Sequence, residues 1–296
     1  MYHLLRGLAA LMLLAPLTAQ ACDVCGCSIA GGGFGLVSGA TRHFVGVGYA
    51  HVGYDNDVAP VRDRLHRYQL VGQATLRDYW RVRVSLPYHH NVRLDERTET
   101  LTASGFGDVE LHVSYAAVDR RLDGGGRALV LLGGGAQLPT GKFDRRIARR
   151  NLPEDFNPGR GALVPHLELR AQLTGDRWGV LAQARTERPL ANDAGYRYGQ
   201  RVSAQLRGLR RFATQQAGIV ATAGLAYSHV GESLREESGN GLHGSGGEAL
   251  LSTLGIQLER NAHALGLNAG LPLRERFAED ATATTFSLDL NLIRTF

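Results

Sequence analysis

Apolar and polar residues alternate along most of this chain, in stretches of about ten residues closed by turns. The last stretch, "FSLDLNLIRTF", shows the pattern: Phe286, Leu288, Leu290 and Leu292 take one parity, and Ser287, Asp289 and Asn291 the other. Successive side chains of an extended chain point to opposite faces, so a period of two predicts strands with one greasy and one polar face. Twelve such segments can be marked, near residues 42–54, 64–76, 79–90, 107–118, 126–138, 161–173, 177–187, 199–211, 215–230, 248–258, 262–274 and 283–296.

A soluble β-sandwich would show the same alternation, and the connections separate the two architectures. Residues 77–78, 174–176, 213–215 and 259–262 are tight turns, and 119–126 is only moderately longer. Between them come long polar loops at 55–63, 91–106, 139–160, 188–198, 231–247 and 275–282. Long and short connections alternate, so all the long ones fall at one end. Backbone groups in hydrocarbon must all be paired, which forces a sheet to close on itself, with an even strand number, short periplasmic turns and long external loops. The predicted fold is therefore all-β, a transmembrane antiparallel up-and-down barrel of about 12 strands. Trp80, Trp178 and Phe296 map to the periplasmic rim, and Tyr54, Tyr88 and Tyr227 towards the opposite one, as aromatic girdles require.

The chain start sets the compartment. Arg6, the short apolar run "GLAALMLLAPL" and Ala19-Gln20-Ala21 read as a signal peptide over residues 1–21, too short to cross a bilayer. Residues 22–40 form a Cys/Gly-rich segment, and 41–296 the barrel. Export and a barrel together place the protein in the outer membrane of a Gram-negative bacterium. The 38 glycines stand against 9 prolines and 3 cysteines, which excludes a disulfide-stapled or disordered chain. The net charge of +5 is spread along the chain and carried by arginine almost alone, since Lys142 is its single lysine, so no nucleic-acid partner is indicated. The expected partners are outer-membrane lipid and lipopolysaccharide, and a small-molecule or metal solute. The strand exteriors look alike and do not say whether barrels associate.

Four stretches, "SGFGDVELHVSY" (104–115), "LPTGKF" (138–143), "GRGALVPHLELR" (159–170) and "NDAGYRYGQ" (192–200), resemble the outer-membrane barrels grouped under the meta-pathway of phenol degradation, themselves distantly similar to FadL-type channels. The leader "CDVCGCSIAGGGFG" is similar to that of a subgroup with a CxxCxC segment ahead of the barrel. The resemblance implies a barrel and transport, with no agreed substrate or mechanistic residues. The Phe-terminated last strand likewise resembles the signal read by the outer-membrane assembly machinery.

Strand parity names the residues that can meet a solute. Val109, Leu111, Val113 and Tyr115 face lipid, so Glu110, His112 and Ser114 face the lumen. The same rule turns Arg81, Arg83, Ser85, His89, His166, Glu168, Arg170, Gln172, Gln183, Arg185, Glu187, Arg201, Ser203, Gln205, Arg207, Asp289 and Asn291 inward. Charges of both signs either pair across the bore or line a polar conduit. Glu110 with His112, and His166 with Glu168, have the chemistry to hold zinc or copper(II), but their strands are not neighbours, and a plain hydrogen-bond network is the alternative. His89 and His90 are adjacent and point to opposite faces.

Cys22, Cys25 and Cys27 follow the cleavage site. Their CxxCxC spacing can bring sulfurs round copper(I), or round zinc with a further ligand, which makes copper or zinc the candidate cofactor. A disulfide or lipidation of Cys22 is the competing reading, although Ala19 stands where a lipoprotein signal has Leu. The segment then serves as gate, plug or metal-capturing arm of a solute channel; a copper- or zinc-binding protein without channel activity is the alternative. "GGGAQLPTGKF" departs from a phosphate-binding loop at Ala136 and Phe143. The glycines at 133–135 read as turn, linker or close-packing positions, and "FDRRIARR" (143–150) as a basic run in an external loop that can meet lipopolysaccharide phosphates. A lipase-type enzyme is a second alternative, but parity turns His112 and Ser114 away from lipid, so no enzymatic activity is expected.

Overall fold

A computed structural model of the chain describes residues 43–296 apart from 57–60, 78, 96–99, 124, 149–151, 214–216, 236–245 and 278–281. The signal peptide, the Cys/Gly-rich segment and with it Cys22, Cys25 and Cys27 lie outside the described residues.

The strands form where the alternation places them. They are β1 (Phe44–Asn56), β2 (Val61–Leu76), β3 (Trp80–Asp95), β4 (Leu101–Phe106), β5 (Val109–Arg121), β6 (Arg127–Leu138), β7 (Val164–Thr174) and β8 (Trp178–Glu187), followed by the short β9 (Tyr196–Arg197). Then come β10 (Arg201–Ala213), β11 (Gly218–Val230), the short β12 (Leu234–Arg235), β13 (Gly247–Arg260), β14 (His263–Phe277) and β15 (Thr282–Thr295). Each long strand pairs antiparallel with the next, and β1 pairs with both β2 and β15, which closes a twelve-stranded barrel. Closure satisfies the edges that an open sheet would leave bare.

β4 is the extra strand. Its residues Phe106–Leu101 pair with Tyr88–Arg93 of β3, whereas β5 pairs with Trp80–Ser85, so β4 and β5 act as one barrel strand broken at Gly107 and Asp108. Pro87 lies opposite the break. It has no N–H to offer there, and its carbonyl accepts from the Gly107 N–H at 2.9 Å. β9 and β12 pair with each other outside the barrel wall.

Burial follows parity. Along β5, Leu111, Val113 and Tyr115 are exposed while His112, Ser114 and Ala116 are buried. The exposed apolar side chains continue from strand to strand, for example Leu167 and Leu169, Leu254 and Ile256, and Leu290 and Leu292, giving the wall an apolar exterior. Trp80, Trp178 and Phe296 are exposed at the end with the short turns, and Tyr88 and Tyr227 nearer the other end. The eight steps from Trp80 to Tyr88, at about 3.3 Å each and tilted by about 40°, climb roughly 20 Å, close to the height of a bilayer's hydrocarbon. Tyr54 departs from its expected place: it is 1 % exposed and turned inward, because it shares the parity of Phe44.

The loop at 139–163 departs further. Sequence reading makes its residues 139–160 external, yet Phe156 is fully buried and Ile147 nearly so, packed with Tyr54, Leu65, Ala103, Val230 and Leu251 inside the barrel mouth. A single helical turn (Arg145–Ala148) and a 3-10 turn (Glu154–Phe156) carry these two anchors. Burying two large apolar side chains is worth about 2 kcal/mol each, enough to draw a polar loop inward. Arg145 and Arg146 stay at the surface.

Candidate functional site

The lumen concentrates its charge on one wall. Arg81 and Arg83 from β3, Glu110 and His112 from β5, His166, Glu168 and Arg170 from β7, Arg185 from β8, and Arg201 and Arg207 from β10 all take the inward parity, as do His89 on β3 and Asp289 on β15. The structure brings seven of them into one lattice. The Arg185 guanidinium reaches three carboxylates: Nη2 lies 2.7 Å from Glu110 Oε2, Nε 2.9 Å from Glu187 Oε1, and Nη1 3.8 Å from Glu168 Oε2. Glu168 also meets Arg170 Nε at 2.6 Å and Arg83 Nη2 at 3.6 Å, and Arg83 Nη2 is 3.8 Å from Glu110. Gln183 Nε2 donates to Glu168 at 3.1 Å, and Gln205 Nε2 donates to Gln183 at 2.6 Å. Charges taken out of water are tolerable only when paired and hydrogen-bonded, and each carboxylate here has at least two donors. Arg81, Arg207 and Asp289 lie apart from this lattice. Arg81 reaches Asp119 at 3.7 Å, and Arg207 Nη1 donates to Asn268 at 3.2 Å, beside Asp289.

The two histidines meet although their strands are not neighbours. In register, His112 of β5 and His166 of β7 both pair with Gly135 of β6, and Ser114 and Glu168 both with Gly133. Glycine raises no side chain between them, so His112 Nδ1 comes within 3.0 Å of His166 Nε2 with the rings stacked at an interplanar angle of 2°. A Cβ at Gly133 would stand 2.6 Å from His112 Nε2. The "GGG" of β6 is thus a close-packing element. His112 Nε2 sits 3.6 Å from Glu168. The geometry is that of a hydrogen-bonded imidazole pair among guanidinium groups. Among the described residues no three His, Cys, Asp or Glu side chains gather as a metal-holding set. His112 and Ser114 are both buried on the inner face, away from the lipid-facing wall.

Above the lattice sits the inturned loop, and its anchors are residues that periodicity does not reveal. Asp108, at the break between β4 and β5, accepts from the Gly141 N–H at 2.9 Å and from the Arg160 N–H at 2.8 Å. Lys142 N–H donates to the Phe106 carbonyl and Gly159 N–H to that of Lys142, both at 2.8 Å. The backbone approach is so close that a Cβ on Gly141 would lie 2.5 Å from Gly107, and one on Gly159 2.7 Å from Gly141. Asn192 donates to the Arg160 carbonyl at 3.0 Å, and the Arg160 guanidinium lies 5.6 Å from the centre of the Tyr198 ring. The four stretches singled out in the sequence, nearly a hundred residues from end to end, therefore meet at one junction. Asn91 donates to the carbonyls of Asp155 and Phe156 at 3.0 and 2.9 Å. Arg160 and Arg201 both reach Asp155 at 3.3 Å, which ties the loop to the wall.

Beneath this roof is a cavity of about 120 Å³, lined by Arg83, Glu110, Gln183, Arg185, Arg201 and Gln205 and capped by Asp155 and Arg160. It has room for several waters or one small polar molecule.

Solved structures similar in fold include two bacterial outer-membrane proteins. An outer-membrane channel from Pseudomonas putida F1 is 18% identical, with a TM-score of 0.66 over 96% of this chain and 100% of that one. The beta domain of the Bordetella autotransporter Brka is 11% identical, with a TM-score of 0.51 over 86% and 100% of the two chains. At these identities the likeness is one of fold. No family model matches the chain, and no curated protein matches it in sequence.

Proposed function

We propose that this barrel is a narrow outer-membrane channel for a small polar solute, with the loop at 139–163 as its constriction. The observation that carries the reading is the cavity between loop and ion-pair lattice, enclosed by guanidinium, carboxylate and amide groups inside a wall whose exterior is apolar. A space of about 120 Å³ with both signs of charge suits a small zwitterion or a polyol better than an aromatic hydrocarbon. The four-motif resemblance to meta-pathway barrels supports transport as the activity, and the chemistry of the lining favours the polar solute.

Planar-bilayer conductance tests the reading. The native barrel is expected to show small, rarely open steps, and replacing residues 141–161 by Gly-Ser-Gly to raise the step size several-fold. A barrel that folds and inserts yet stays silent in both forms would overturn it.

In this reading the thiol segment 22–40 serves at the channel's periplasmic entrance. The Phe296 N–H donates to the His43 carbonyl at 2.9 Å, so the first described residue stands at the rim of the short turns. Copper(I) titration of the reduced mature protein is expected to find a site that is lost when Cys22, Cys25 and Cys27 are all replaced by Ser; equal titrations would remove metal capture from the proposal.

A further inference from the structure

The outer wall over β1 to β4 carries two cross-strand rows that the channel reading does not use. Tyr49, Tyr68, Tyr88 and Phe106 stand directly opposite one another in register, one from each strand. The Tyr49 and Tyr68 ring centroids are 5.2 Å apart, and Phe106 meets Tyr88 edge-on at 5.4 Å. This row marks the upper edge of the apolar band, where an aromatic girdle faces the headgroups.

The next outward-facing positions, one step further from the short turns, repeat the alignment with polar side chains. His51 pairs with His66, His66 with His90, and His90 with Ser104. The imidazole centroids are 4.7 and 6.2 Å apart. Tyr49 Oη lies 2.9 Å from His66 Nδ1, and Ser104 Oγ 2.7 Å from His90 Nδ1. With each hydroxyl assigned as the donor, the proton of each ring sits on Nε2, available to an outside acceptor. Arg62 is exposed above the row, and Arg64, also above, is held by Asp55 at 2.7 Å. Asp55 is the one carboxylate on this face of β1 and β2.

We propose that this wall is a docking site for the phosphorylated disaccharide of lipid A in the outer leaflet. The aromatic row lies level with the acyl-to-headgroup boundary, and the imidazole row and Arg62 lie level with the phosphates. A patch of N–H donors and guanidinium groups complements a phosphate dianion, and the rows stand at the end of the barrel with the long loops, which faces the lipopolysaccharide leaflet. The site lies on the wall's outer surface, separate from the cavity and from the loop residues that cap it. The proposal rests on the outer-membrane reading above.

The test uses the full-length folded barrel in mild detergent, titrated with bisphosphorylated lipid A, with its phosphate-free counterpart and with phosphatidylglycerol, and read by native mass spectrometry. The native barrel is expected to hold bisphosphorylated lipid A in preference to both others. Replacing His51, His66 and His90 together by Leu should weaken it about tenfold, and Arg62→Met about threefold. Heat-modifiable gel migration establishes that each variant is folded; if the triple variant does not fold, His90→Leu combined with Arg62→Met takes its place. Equal binding of the phosphate-free lipid or of phosphatidylglycerol, or unchanged binding in folded variants, would overturn the proposal. Conductance is scored separately on the same preparations, so a barrel that inserts and conducts without retaining lipid A sinks this inference alone.

Discussion

The two halves of the barrel interior solve the same problem with different chemistry. From β3 round to β10 the wall is ionic, with guanidinium groups shared among Glu110, Glu168 and Glu187. From β11 to β15 it is almost neutral: Thr222, Thr253, Gln257, Asn268, Ser287 and Asn291 are buried there, with Asp289 the acid among them. An ion needs several partners once it is removed from water, so the ionic wall is interlocked across four strands, β3, β5, β7 and β8. Amides and hydroxyls are satisfied by one or two local bonds, such as Asn291 Nδ2 to Asp289 at 3.2 Å. The inturned loop grips the charged wall, through Arg160 to Glu187 at 3.4 Å and through Arg201 to Asp155. The contrast places both rigidity and the solute-sized cavity on one side of the bore.

Breaking the lattice should therefore cost far more than breaking the neutral wall. Glu168→Ala leaves Arg83, Arg170 and Arg185 short of a partner, and about 3–5 kcal/mol should be lost from the unfolding free energy of the refolded barrel in urea. Gly133→Val should cost about 1–3 kcal/mol, because its Cβ drives into His112, while Gly72→Ala, with nothing within 4 Å of the new Cβ, should be near neutral. Asn268→Ala, which removes the acceptor of Arg207, should cost about 1 kcal/mol. If Asn268→Ala proved as damaging as Glu168→Ala, the distinction between the walls would fail.

Much of this was legible in the chain. The alternation located the twelve long strands to within a few residues, and the sorting of connections by length pointed to a closed barrel. Parity turned Glu110, His112 and Arg185 inward. What parity could not show is which inward residues touch. His112 and His166 are 54 positions apart on strands that do not pair, and they meet only because Gly133 and Gly135 clear the space between them. Asp155 and Arg160 lie in a segment without periodicity, and Asp108 stands at the end of a marked strand, where parity does not tell its partners. Their one sequence signal was a set of apolar residues, Phe143, Ile147, Leu152 and Phe156, in a loop rich in polar ones. Strand β4 was missed because it lies within a stretch read as loop, where the barrel strand breaks at Gly107 and Asp108.

The sequence by itself determined a sheet with one apolar and one polar face, since a period of two is written in neighbouring residues and needs no long-range information, and the sorting of its connections by length pointed to closure. Only the tertiary structure decided the partners: the lattice around Arg185, the loop folded into the mouth, and the aligned tyrosine and histidine rows outside. Those depend on strand register, tilt and curvature, which arise from contacts between residues far apart in the chain and act at distances that local pattern cannot encode.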